Sequence, residues 1–112
     1  RVLHPALPSF PGHEIWKRDF KGASGIFSIV LDVPDAQAWT RKAHAFLDAL
    51  GIFGLGYSWG GYESLAVHAF LGDRVVATAP KEGPVLRLQI GLEDVADLKA
   101  DIEAGLAAAA KA

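Results

Sequence analysis

The chain has 112 residues, 51% of them hydrophobic and 21% charged, with a formal net charge of −2. That is the composition of one small folded domain, which excludes wholesale disorder. Six basic and five acidic side chains lie up to Gly56, and five and eight after it, so neither half has the basic excess that a nucleic-acid partner needs.

Residues 1–20 read as irregular, because Pro5, Pro8, Pro11 and Gly12 interrupt any regular period. The tract is too aromatic for a flexible linker and reads as an extended arm over residues 1–24. Within it, Trp16–Phe20 alternates weakly and suggests a short pairing segment. Ile26–Leu31 is a β-branched, almost wholly apolar strand introduced by Gly22 and Gly25. Asp35, or equally Asp32, caps the helix that follows. Ala36, Trp39, Ala43, Phe46, Leu47 and Leu50 form its apolar face, and Gly51 is its expected terminator.

Ile52–Tyr57 is a short apolar segment interrupted by Ser58-Trp59-Gly60-Gly61. Val75–Ala79 and Val85–Ile90 read as strands joined by a hairpin loop over Pro80–Pro84. The last helix starts near Glu93 or Asp94 and shows Val95, Leu98, Ile102 and Leu106 on one face. Its alanine tail has little to bury and is expected to fray. The fold class is α/β of the α+β type: a small, mostly antiparallel sheet over residues 25–112 with helices on one face. Ile26–Leu31 is apolar on both sides, so the other face should be covered as well.

The chain has no cysteine, which excludes disulfides, thiolate zinc sites and a cysteine nucleophile and agrees with a cytoplasmic setting. No apolar run could span a bilayer and no segment has the order of a signal peptide, so no membrane association is expected. Methionine is also absent and Arg1 is bulky, so Arg1 is not an expected natural start. The chain reads as a piece of a longer protein.

His4, His13, His44 and His68 have no metal-ligand spacing and read as structural. The glycines from 51 to 61 lack the phosphate-loop pattern and read as tight turns. Tyr57–Gly61 sets a hydroxyl, an indole N–H and two permissive backbones side by side. It is either a buried tryptophan in a turn or a donor cluster for an anion. Arg87 shares a strand face with Val85 and Gln89. Its guanidinium needs a carboxylate, either an internal one or that of a ligand.

Several runs resemble the Cys/Met-metabolism family of pyridoxal-phosphate (PLP) enzymes, in the cystathionine β-lyase group. They are His4–Pro8, Gly12–Phe20, Gly22–Ser28, Tyr57–Leu65 and Arg87–Asp94, in order along essentially the whole chain. The resemblance is to the family's C-terminal portion. It implies the C-terminal domain of the aspartate-aminotransferase-like fold (fold type I). It further implies PLP held by an N-terminal PLP-binding domain, a homotetramer, and α,β-elimination of cystathionine to homocysteine, pyruvate and ammonia. By the same resemblance Arg87 binds the substrate α-carboxylate and the Trp59 indole helps hold it. Ser58 lies beside the catalytic lysine and substrate, and Tyr57 lies near the substrate's distal end. Trp59 points away from the γ-lyase and synthase relatives, which typically have Leu there. Gln89 departs from the family, which often has His. Lys17, Lys21, Lys42, Lys81, Lys99 and Lys111 match no PLP-lysine motif, so the chain alone is expected to be inactive. The competing readings are a stand-alone amino-acid-binding or regulatory module and a purely structural or oligomerisation domain.

Overall fold

The computed structural model describes all 112 residues. Strands β1 (Val2–Leu3), β2 (Ile26–Val30), β3 (Gly54–Leu55), β4 (Leu65–Ala69) and β5 (Val85–Gln89) form one sheet in the order β1-β2-β5-β4-β3. Only the two-residue β3–β4 pairing is parallel; the other three are antiparallel. Helices α1 (His13–Asp19), α2 (Trp39–Asp48) and α3 (Val95–Lys111) complete the fold, and a 3₁₀ turn over Ala36–Ala38 leads into α2. No helix is long and apolar enough to cross a membrane.

The central strand β5 is apolar where it meets the helices. Leu86 and Leu88 are fully buried there with Phe46 and Leu47 of α2, Leu98 and Ala109 of α3, and Ala66 of β4. Period-two alternation sends Val85, Arg87 and Gln89 to the opposite face. Register places Ser28 of β2 and Val67 of β4 on either side of Arg87.

Several expectations are corrected. Residues 13–19 are helical, not an irregular or pairing segment: Pro11 and Gly12 precede the first turn, where a helix has no internal N–H bonds to lose. Val2–Leu3 is a paired edge strand, with the Arg1 ammonium on the Val30 carbonyl. The strand expected at Val75–Ala79 is instead Leu65–Ala69. Val75 and Val76 are 95% and 94% exposed on a long connection to β5, whose free edge β4 has already taken. Gly51 does not end α2 with a left-handed turn; Asp48 is the last helical residue, and the Gly51 N–H goes to Asp101. In α3 the buried stripe is Leu98, Asp101, Gly105 and Ala109, whereas Val95 and Leu106 are exposed. Of the alanine tail only Ala109 is buried, and the helix runs to Lys111.

Asp35 caps the turn before α2 through the Gln37 N–H, and Asp94 caps α3 through the N–H groups of Ala96 and Asp97. Gly105 lets the two helices close, because a Cβ there would stand 2.9 Å from the Phe46 ring. Asp101, buried, accepts three bonds from the turn after α2: Gly51 N–H at 2.6 Å, Ile52 N–H at 2.9 Å and Phe53 N–H at 3.0 Å. Burial alone would raise its pKa, but these three donors win and hold the carboxyl below its ordinary range.

Candidate functional site

Arg87 rises from the middle of β5 on the face away from α2 and α3. It borders a cleft of about 510 Å³ whose walls include Arg1, Phe10, Ser28, Leu71 and Arg74. One terminal nitrogen, Nη2, donates to the backbone carbonyl of Tyr57 and, at 3.5 Å, to that of Ser58. The Nε–H is buried and has no protein acceptor. A buried, unpartnered guanidinium donor is costly, and a bidentate carboxylate is the group whose shape would satisfy it. Neither salt bridge in the fold involves Arg87. The internal carboxylate partner that the sequence left open is therefore not what holds it.

The structure brings Tyr57, Ser58 and Arg87 together through main-chain carbonyls rather than through the tyrosine and serine hydroxyls. Trp59 follows on the same loop and is 63% exposed, so this tryptophan is not buried in its turn. Gly60 is the one residue with a left-handed backbone (φ +80°), which fits the reversal there.

Sequence reasoning missed what holds this loop. Gln89, two residues along β5 on the Arg87 face, accepts from the Gly60 N–H and donates to the Gly61 carbonyl, both at 3.1 Å. Glu93, just before α3, takes the Ser64 N–H at 2.8 Å and the Ser64 hydroxyl at 2.7 Å. Those Ser64 donors hold the Glu93 carboxyl below its ordinary range. Ser64 Oγ in turn accepts from the Gly91 N–H at 2.8 Å. Gly91 is needed for the crossing, since a Cβ there would lie 2.2 Å from the Tyr62 carbonyl oxygen. The partners are 27 to 29 residues apart, so no local spacing signals them.

The histidines lie elsewhere. His44 and His68 meet edge to face on the helix side of the sheet, with ring centroids 6.3 Å apart. Burial first, and His44 second, lower the His68 pKa. His13 Nδ1 lies 2.7 Å from the Pro5 carbonyl oxygen. No lysine borders the Arg87 cleft, and Lys42 is spent on the carbonyls of Ala109 and Ala110 at the end of α3. The chain's own residues thus fit recognition of an anionic group. That cleft itself offers no lysine amine for covalent attachment of an aldehyde cofactor.

The family model for Cys/Met metabolism PLP-dependent enzymes matches residues 1–107. The chain belongs to this family. A Rhizobium johnstonii protein provisionally named a cystathionine beta-lyase is 75% identical across 97% of the chain. The cystathionine beta-lyase MetC of Escherichia coli is 47% identical across 96%, and an L-alanine/L-glutamate racemase of Wolbachia pipientis is 43% identical across 96%. The chain spans only 28%, 27% and 26% of those proteins' own lengths. Among solved structures, cystathionine gamma synthase from Xanthomonas oryzae pv. oryzae superposes with a TM-score of 0.75 at 34% identity. That match covers 99% of this chain and 29% of the other. The fold is accordingly that of the PLP-dependent fold type I enzymes.

Proposed function

We propose that this chain is the carboxylate-binding portion of a PLP-dependent carbon–sulfur lyase of the cystathionine β-lyase type. The substrate would be a cystathionine-like amino acid, cleaved by α,β-elimination to homocysteine, pyruvate and ammonia. The observation that carries the reading is the Arg87 guanidinium at the cleft, with one nitrogen tied to the 57–58 backbone and a buried Nε–H that has no protein acceptor. Arg87 would take the α-carboxylate, with the Trp59 indole beside it. Ser58 would face the reacting end and Tyr57 the distal end of the substrate. Holding the carboxylate fixes the direction of the Cα–H bond, which is a positioning contribution to proton removal. PLP, held by a lysine outside these residues, supplies the electron sink when bound. The remaining partners in this reading are an N-terminal PLP-binding domain and the other subunits of a homotetramer, in the cytoplasm, with residues 1–24 as an arm.

The racemase relative matters, because racemisation and elimination both begin by removing the Cα proton from an amino acid held by its carboxylate. The test uses the full-length PLP-loaded protein. Pyruvate release from L-cystathionine is expected, with no comparable racemisation of L-alanine. Arg87→Ala should raise KM about 100-fold, the scale for losing a charge-assisted pair worth about 3 kcal/mol. Racemisation without pyruvate release would overturn the lyase reading. Lyase activity from the isolated 112 residues would overturn the assignment of the PLP lysine to the rest of the protein.

A further inference from the structure

The geometry points to a positioning role for Gln89: we propose that its side-chain amide clips the Gly60–Gly61 backbone and so sets where Trp59 stands relative to the Arg87 guanidinium. The inference rests on the reading of Arg87 as the carboxylate clamp. Residues 56–64 belong to no helix or strand, so their shape must come from side chains that reach them. Arg87 ties the loop at Tyr57 and Ser58, and Gln89 ties it at Gly60 and Gly61. Trp59 lies between the two ties. Both anchors rise from one face of β5, two residues and about 7 Å apart by strand geometry. The distance between the ties is therefore set by a central strand rather than by the loop.

These contacts use both donors of the amide and one acceptor site of its oxygen. Its oxygen accepts from Gly60, and its nitrogen donates to Gly61 and, at 2.9 Å, to the Ile90 carbonyl. The opposite flip would press the amide oxygen against two carbonyl oxygens, so the orientation is determined. Gln89 is 3% exposed, which keeps water from taking over either bond. An imidazole offers one donor and one acceptor on opposite ring edges and cannot meet all three groups at once. A glutamate keeps the acceptor, loses both donors, and brings negative charge to two carbonyls.

The test uses the full-length PLP-loaded protein with L-cystathionine. Gln89→Ala is expected to raise KM about 10-fold with kcat within about twofold, the signature of binding lost in ground and transition states alike. In a Trp59→Phe background the same change should raise KM less than about twofold, because the clip acts through Trp59. Amide exchange at Gly60 should speed up at least about 10-fold in Gln89→Ala. If Gln89→Ala fails to fold, the isosteric Gln89→Glu should raise KM at least about threefold. Independent, multiplying effects of the two substitutions, an unchanged KM, or unchanged exchange at Gly60 would overturn the clip. Arg87→Lys separates the two ideas: a raised KM there with none in Gln89→Ala overturns the clip alone, whereas a wild-type KM in Arg87→Lys overturns the clamp and the clip with it.

Discussion

Replacing Asp101 tests how the helical layer is tied to the sheet. Its carboxylate gathers the N–H groups of Gly51, Ile52 and Phe53, which join α2 to β3. In Asp101→Ala the exposed Gly51 and Ile52 groups can turn to water, but Phe53, 4% exposed, cannot do so readily. Bonds to a charged acceptor contribute about 1.5–3 kcal/mol each, non-additively, and a stranded buried N–H costs about 1–3 kcal/mol. A net loss of about 3 kcal/mol is expected, against a stability of about 5–15 kcal/mol for a domain of this size. With a urea dependence of about 1.5 kcal/mol/M, the unfolding midpoint should fall by about 2 M.

The pH dependence carries a sign. The folded-state pKa is lowered, so the stabilisation is complete above the unfolded carboxylate value and is lost as pH falls through the folded one. The gap between wild type and Asp101→Asn should be flat from about pH 8 to 5 and close below about pH 4. A midpoint shift under about 0.3 M, or a gap unchanged at pH 3, would refute the reasoning.

Three further outcomes follow from close contacts. Gly105→Ala gains helix propensity of about 1 kcal/mol, yet its methyl group would meet the Phe46 ring at 2.9 Å and the Phe46 carbonyl oxygen at 3.1 Å. Net destabilisation is expected, and a raised melting temperature would contradict it. Gly91→Ala would place its Cβ 2.2 Å from the Tyr62 oxygen, so the 62–64 crossing must shift. Faster amide exchange at Leu92, whose N–H bonds Tyr62, would report this. Glu93→Gln keeps the shape but weakens the hold on Ser64. Wild-type exchange at the Ser64 amide would exclude Glu93 as the anchor.

The parts of the fold legible in the sequence were those with local, self-consistent signals. Ile26–Val30 and Val85–Gln89 are dense in β-branched and large apolar residues, and both are strands. The face of α2 and the Asp35 cap before it were readable for the same reason. What failed depended on partners far away. Val75-Val76 has better strand propensity than Leu65–Ala69, but only the latter finds a free edge of β5. The buried stripe of α3 includes Asp101 and Gly105, polar and small residues that a hydrophobic period passes over. At the site, Arg87 stood out as a charge within an apolar strand, and Tyr57–Gly61 stood out for its donors. Gln89 looked like a departure from a family pattern rather than a clip, because its partners are 28 and 29 residues away.

The central claim is that Arg87 recognises the substrate's α-carboxylate. Competitive inhibition by an unreactive L-amino acid and by its carboxamide, in the full-length PLP-loaded protein, tests it most directly. Wild type should bind the acid about 100-fold more tightly than the carboxamide, and in Arg87→Ala that ratio should fall to within about threefold. If Arg87→Ala kept the full preference for the acid, the carboxylate would be held elsewhere and the account of this site would be wrong.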